Sequence, residues 1–327
     1  MTQHSQDQCG TQASDAAYAT KLDITVVVLT FNESQHIERA LASVAHVANR
    51  CIVVDSGSTD NTVALAEAAG AEVRFNPFIT QAQQFNWALG QLPADTDWVL
   101  RLDADEYITP ALAQEILSTV PTLGSETVGV LLARRMTFLR KPIRWGGVFP
   151  VKVLRLFRHG RGRCENRWMD EHIVVDGAKV ALKGELIDDN LNSLTWWTDK
   201  HNAYAARETV DQLNRQYRFM EFETLDTDGA SGGHQATVKR WIKENIYYRL
   251  PGGTRAAAYF FYRYAIRLGF LDGKLGASFH VLQGFWYRYL VDMKVYEVKA
   301  HMSRTGDDPV AAIEKVLGIK VGGRWME

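Results

Sequence analysis

Along the first hundred residues the apolar positions switch between two periods. "ITVVVLT" (24–30) is a nearly unbroken β-branched run, the pattern of a strand buried on both faces. "NESQHIERALASVAHV" follows, with Ile37, Leu41, Val44 and Val47 at helical spacing. "CIVV" (51–54) predicts the next strand. "TDNTVALAEAAG" predicts a helix with Asp60 near its start and Gly70 at its stop. "AEVRF" (71–75), "QAQQFNWALGQL" and "DWVLRLD" (97–103) continue as strand, helix and strand. This alternation predicts an α/β fold built on a Rossmann-like, mostly parallel sheet with flanking helices.

The alternation weakens after residue 125. "TVGVLLARRM", "VKVLRLFRH", "HIVVDG" and "KVALKG" predict strands in a mixed or antiparallel arrangement, and from about residue 192 the pattern is mostly helical. "DTDGASGG" (226–233) is a polar, glycine-rich break and the expected linker. Residues 1–22 are small and polar, without the basic start and apolar core of a signal peptide, and read as a disordered tail. The expected division is therefore a tail (1–22), an α/β domain (23–225) and a helical C-terminal region (234–327).

Composition narrows the function classes. The 327 residues are 46% hydrophobic and 23% charged, as in globular proteins. A net charge of −1 gives no overall field toward nucleic acid, and no nucleic-acid partner is expected. Cys9, Cys51 and Cys164 are far apart and form no Cys-x-x-Cys, so neither a disulfide framework nor a zinc site is expected, and a reducing cytoplasm fits. No apolar run approaches the roughly 18 residues of a membrane span.

The candidate chemistry lies at strand ends, because open α/β sheets bind ligands at the carboxyl ends of their strands. "VVDSGSTDNT" (53–62) ends a strand on Asp55, and "WVLRLDADEY" (98–107) ends one on Asp103. Asp55 is either an acceptor for a base or ribose, or a turn former, and Asp60 is a helix cap. Asp103 and Asp105, flanked by Ala104 and Glu106, can hold a hard dication such as Mg²⁺ or Mn²⁺ together with the phosphates it bridges. "TFNES" stands after the first strand where a dinucleotide-binding protein has G-x-G-x-x-G, and the chain has no P-loop motif.

Taken together, "VVVLTFNES", "IVVDSGSTDNT" and "LRLDADE" resemble the inverting nucleotide-sugar glycosyltransferases of family 2, which have the GT-A fold. "RLFRHG", "WMDEHIVVDG" and "NLNSLTWWTDKHNAYAARE" extend the likeness toward the subgroup of lipopolysaccharide inner-core β-1,4-glucosyltransferases. The resemblance implies a UDP-sugar donor, a lipid-linked glycan acceptor and metal-assisted single displacement. It places Thr30, Asn32, Glu33, Asp55, Gln84, Asp103 and Ala104 around the nucleotide sugar. Asp105 becomes the direct metal ligand, with Asp103 beside it. Asp170 becomes the general base, with Glu171 as runner-up, and His172 is either a further metal ligand or a structural histidine. Many relatives carry an arginine where Phe85 stands here, just before Asn86. Two other classes stay open on the residues alone: a sugar-1-phosphate nucleotidyltransferase, and a non-catalytic glycan-binding protein on the same fold.

The last feature is the run from Thr254 to Lys299, where aromatics alternate with Arg263, Arg267, Lys274 and Arg288. It is expected either to lie on an anionic membrane surface as two short helices broken near Gly269 and Gly273, or to pack on the catalytic domain or a second subunit. The first alternative predicts a cytoplasmic protein, peripheral on the inner face of the membrane.

Overall fold

The structure, a computed structural model, describes residues 23–165, 172–220 and 253–321. Strands β1 (Ile24–Thr30), β2 (Arg50–Asp55), β3 (Glu72–Phe75) and β4 (Trp98–Asp103) pair in parallel in the order β3-β2-β1-β4. Helices α1 (Ile37–Val44), α2 (Thr62–Ala68) and α3 (Gln81–Leu89) connect them. Side chains of a strand alternate between faces, and here both faces are covered. Val26, Val28, Leu100 and Leu102 pack with Ile37 and Leu41 of α1 and with Leu112 and Ile116 of α4 (Pro110–Thr119). Val27, Ile52, Val54 and Val99 pack on the other side against Ala82, Phe85 and Ala88 of α3. Arg101 and Asp103 share the α3 face with Val99 by the same alternation, which carries them away from the α1–α4 core.

Beyond β4 the sheet becomes mixed, as the sequence pattern suggests. β5 is Glu106–Ile108, β6 Thr127–Phe138, β7 Lys141–Pro142, β8 Val151–Arg158 and β11 Ala178–Asp188. They extend the nine-stranded sheet as β4-β8-β6-β11-β5, with β7 paired to β6. β8 runs antiparallel to both β4 and β6, whereas β6 and β11 are parallel. β9 (Gly162–Cys164) and β10 (Ile173–Val175) form a separate ribbon. Helix α4 begins at a Thr109 cap, whose hydroxyl accepts the Leu112 N–H, with Pro110 at the first helical position. Its Glu115 carboxylate accepts the backbone N–H groups of Lys183 and Gly184 where β11 bulges away from β6.

The C-terminal half is helical. Helix α5 (Leu194–Tyr217) is capped by Ser193 and ends on a left-handed Arg218. Helices α6 (Thr254–Phe261), α7 (Gly273–Phe279), α8 (Tyr287–Thr305) and α9 (Pro309–Leu317) follow. Val210 and Leu213 of α5 pack against Val298 of α8 and Ile313 of α9. Glu208 of α5 accepts hydrogen bonds from Tyr287 Oη (2.6 Å) and Arg288 Nη1 (2.7 Å). The expected break falls at Gly269–Asp272, between α6 and α7. No helix of the described residues is long and apolar enough to cross a membrane. The expected tail (1–22) and linker (226–233) lie outside the described residues.

One expectation about this half is corrected. Arg263 does not face outward with Arg267 and Lys274. It is 6% exposed, and its guanidinium donates to the Gly146 carbonyl and to Gln283 Oε1. Arg288 is paired with Glu208. The reason is local: Tyr262–Ile266 and His280–Trp286 are π-helical turns, which shift the helical phase and rotate these arginines inward.

Candidate active site

At the carboxyl ends of β1, β2 and β4 the chain opens into a cleft of about 1980 Å³. Thr30, Asn32, Glu33, Ser56, Arg101 and Asp103 line the sheet side, and Trp196, Lys200, Tyr204 and Arg207 of α5 line the other.

The loop after β1 is held from both sides. Asn32 adopts φ 56°, a left-handed conformation that asparagine tolerates better than most residues. Its Oδ1 accepts the Thr59 N–H (2.8 Å), and its own N–H donates to Ser58 Oγ (2.8 Å). Glu33 N–H donates to Thr62 Oγ1 (2.7 Å), and Ser34 N–H to Asp60 (3.2 Å). His36 Nε2 accepts the Leu191 N–H (2.9 Å), which fixes the tautomer: Nδ1 carries the proton and donates to Glu33 Oε2 (2.7 Å). "TFNES" is thereby stapled both to "SGSTDNT" and to the segment after β11.

Asp55 is buried behind this loop. Its Oδ2 accepts the N–H groups of Gly57 and Ser58 (2.8 Å each), while Oδ1 accepts the hydroxyls of Thr30 (3.0 Å) and Ser58. Those four bonds fill the acceptor capacity of a carboxylate. Gln84 is likewise buried. It bridges Ser56 Oγ (3.1 Å) and the Asn76 backbone and side chain, and so braces the loop after β3.

Asp103 sits in a buried ionic cluster. Its Oδ2 receives Arg155 Nη2 of β8 at 2.6 Å, and Arg101 Nε lies 3.4 Å from Oδ1. The same Arg155 nitrogen reaches Glu106 Oε1 at 2.6 Å, and Glu106 Oε2 accepts the Asp103 N–H at 3.1 Å. Burial alone favours a neutral Asp103, but the Arg155 and Arg101 guanidiniums outweigh it and hold the carboxyl well below its usual range. Burial pushes Glu106 up to about 8 against the pull of Arg155, with the Asp103 charge adding to the rise. Ala104, 4% exposed, is the small residue that lets the chain turn between the two acids.

Asp105 is differently placed. Its Oδ2 accepts Asn190 Nδ2 (3.0 Å), and no cation lies within salt-bridge distance of it among the described residues. Lys200 faces it. Burial lowers the Lys200 pKa, but Tyr204, Asp105 and Glu33 together raise it above its ordinary value. Its ammonium stacks over Trp196 at 4.5 Å, and Arg207 over Phe78 at 6.0 Å. Neither has a carboxylate partner within salt-bridge distance among the described residues, whereas Arg39 is tied to Asp189 (2.6 Å) and Arg155 to two acids.

His172 lines the same cleft, with its Nδ1 3.6 Å from Glu165. No group of three or more His, Cys, Asp or Glu side chains suited to holding a metal occurs among the described residues, so Asp103, Asp105 and His172 do not form one. Asp170 and Glu171 lie outside the described residues. Several residues around the site were not anticipated from sequence: Arg155, Arg101, Arg39, Asp189 and Asn190. Arg101 is the most informative. Its guanidinium stacks 5.2 Å from the ring centroid of Phe85, and it lines the cleft beside Asp103.

Residues 25–164 match the model "Glycosyl transferase family 2" and form a family 2 glycosyltransferase domain. The chain is 42% identical over 93 residues to an uncharacterized glycosyltransferase of Rickettsia bellii (strain RML369-C), covering 28% of this chain and 31% of that one. It is 32% identical over 163 residues to the lipopolysaccharide core biosynthesis glycosyltransferase LpsC of Rhizobium meliloti (strain 1021), covering 48% and 59%. The chain therefore spans about a third of the first relative and under two thirds of the second. Among solved structures it is similar to glucosyl-3-phosphoglycerate synthase from Mycobacterium tuberculosis, in complex with Mn²⁺, UDP and glucosyl-3-phosphoglycerate. That match has 25% identity and a TM-score of 0.28, over 36% of this chain and 45% of that one.

Proposed function

We propose that this protein is an inverting glycosyltransferase that moves a sugar from a UDP-sugar to a lipid-linked glycan such as lipopolysaccharide core. The observation that carries the reading is a cleft that presents Asp103 on its sheet side and Lys200 on α5, with Asp105 near enough to raise the Lys200 pKa, and with neither Asp105 nor Lys200 in an ion pair within salt-bridge distance among the described residues. A nucleoside diphosphate with its dication completes both. The residues fit such an ion: Mg²⁺ or Mn²⁺ takes one or two protein carboxylates and fills its shell with water and phosphate oxygens. Asp105 would hold it, and the bound ion would supply electrophilic stabilisation of the departing diphosphate.

The chain's own residues do the rest. Thr30, Asn32, Glu33 and Ser56 form the nucleotide end, with Asp55 shaping the loop from behind. Arg155 and Arg101 fix Asp103 beside the ribose and diphosphate. Lys200 and Arg207 offer charge to donor or acceptor phosphate, and Trp196 offers an apolar face to a sugar ring. Asp170 takes the proton of the acceptor hydroxyl as its oxygen bonds to the anomeric carbon. The bond from that carbon to the phosphate oxygen breaks, and UDP leaves with the electron pair. Glu171 is the alternative base. The acceptor places the enzyme on the inner face of the cytoplasmic membrane.

UDP release from a panel of UDP-sugars tests this, with truncated lipopolysaccharide and polyprenyl-diphosphate glycans as acceptors and Mn²⁺ present. Acceptor-dependent release is expected, and Asp170→Asn should lower it by about 100-fold or more while leaving UDP affinity unchanged. Pyrophosphate release from UTP and a sugar 1-phosphate would replace this reading with nucleotidyl transfer.

A further inference from the structure

The turn between α6 and α7 carries an unusual surface. Phe261, Ile266, Leu268, Phe270 and Leu271 are all exposed, from 40% to 62%, within eleven residues. Trp145, 43% exposed, joins them from the loop between β7 and β8. The two segments are bound into one body. Gly146 N–H donates to the Arg267 carbonyl (2.9 Å), and the Asp272 carboxylate accepts the N–H groups of Arg144 and Trp145 (3.1 and 2.9 Å). Arg263 reaches back to the Gly146 carbonyl from beneath. Large apolar side chains concentrated like this on one projection mark a contact surface.

Charge identifies what it contacts. The whole chain is close to neutral at −1. Residues 139–150 nevertheless contain Arg140, Lys141 and Arg144 and no acid, and residues 254–291 contain five cations and one acid, Asp272. Asp272 is engaged by the two backbone donors just named. Arg255, Arg263 and Arg288 are held by Asp292, Gln283 and Glu208. Arg140, Lys141, Arg144, Arg267 and Lys274 remain, all exposed and none within salt-bridge distance of a carboxylate among the described residues. An apolar knob collared by five unpaired cations complements a surface that is apolar inside and negatively charged at its face.

We infer that the knob formed by Trp145 and residues 261–271 inserts into an anionic lipid bilayer, with the five cations seated on the lipid headgroups. This differs from a helix lying in the membrane plane: the end of α6 and the turn that follows it make the contact. In the chain the Trp145 loop runs into β8, whose first residue, Val151, lines the cleft. The inference does not rest on glycosyl transfer, and its test needs no turnover.

The test is co-sedimentation of the full chain with vesicles of phosphatidylcholine alone or with 30–40% phosphatidylglycerol, roughly the anionic content that makes a polybasic patch bind, at low and high salt. Binding to the anionic vesicles is expected, weakening with salt but leaving a resistant fraction. Phe270→Ser with Leu271→Ser should weaken it about tenfold and remove the resistant fraction, whereas Arg144→Gln with Lys274→Gln should flatten the salt dependence. Tyr296→Ser, exposed on α8 away from the knob, should bind as the parent does. The inference is overturned if the parent stays in the supernatant with anionic vesicles at low salt. It is equally overturned if Tyr296→Ser loses as much binding as the knob variant. Conversion of a dimer to a monomer by the knob variant, without vesicle binding by the parent, would assign the surface to a second copy of the chain.

Discussion

Two of the first four strands, β2 and β4, end on aspartate, and the chain uses them in opposite ways. At β2, Asp55 accepts four hydrogen bonds, three of them from the Gly57 and Ser58 of its own loop, and it is sealed within that loop. At β4, Asp103 is held chiefly by Arg155, more than fifty residues away on β8, with Arg101 of its own strand at 3.4 Å and its backbone N–H on Glu106. Asp105, two residues further on, has one amide donor and, among the described residues, no cation within salt-bridge distance. The sequence of each end, an apolar run into Asp and small residues, looks alike. The difference lies in where the counter-charge comes from. A carboxylate satisfied locally builds a loop. One satisfied from a distant strand ties a sheet together. One with no ion pair among the described residues is the one we propose for the ligand.

Four experiments break or sharpen that contrast. Asp105→Ala should lower transfer by about 1,000-fold, the scale of losing one electrostatic stabiliser at a reacting phosphate, with an unchanged melting temperature. Retained activity in the variant, or in excess EDTA, would return Asp105 to the structural class. Arg155→Met should act on the fold instead. It strands Glu106 as a buried acid and leaves the half-buried Asp103 with Arg101 alone, with an expected loss of about 3 kcal/mol in chemical denaturation, and adding Glu106→Gln should recover part of it. Asp55→Asn places an amide against donors and should cost about 1–3 kcal/mol, confined to the loop after β2. Hydrogen exchange at Gly57 and Ser58 would report it.

The smallest effect concerns Asp60, which caps the same loop. Burial is the largest single influence and raises its pKa, but the hydrogen bonds from Thr62 and Ser34 together outweigh it and hold the carboxyl below its ordinary range. A depressed carboxylate stabilises the fold above its unfolded pKa and loses that contribution as pH falls through the folded one. Melting temperature should therefore decline below about pH 4 more steeply in the parent than in Asp60→Asn. Parallel curves would remove the cap from the argument.

The sequence pattern resolved the first four strands, the three helices between them and the mixed strands that follow, because each has five or more residues of clear period or a glycine stop. β5, β7 and β9 were not visible. Two or three residues carry no period, and these strands exist only because β11, β6 and β10 pair with them. Helix α4 was missed although Thr109 and Pro110 mark its start. Within the site, the acids were legible because Asp103 and Asp105 are adjacent to their strand. Arg155, Arg39 and Asn190 were not, since nothing local distinguishes a lone arginine on a strand from a solvated one. Arg101 was in plain view inside "LRLD". An arginine flanked by leucines in a buried strand was itself the signal that a buried acid lay nearby. In the C-terminal half the sequence grouped Arg263 and Arg288 with Arg267 and Lys274, and nothing local marked the π-helical turns that carry the first two inward.

The His280 ring stands where two glycines leave room for it. A β-carbon on either Gly146 or Gly269 would overlap the imidazole, which fills the junction between the Trp145 loop and the turn that follows α6. In evolutionary terms the three positions form one heritable unit. Neither glycine can acquire a side chain while the histidine stays, and shrinking the histidine first opens a hole under the surface that carries Trp145 and Phe270. Lineages that repurpose this protein are therefore expected to vary the exposed apolar residues freely while changing Gly146, Gly269 and His280 together or not at all.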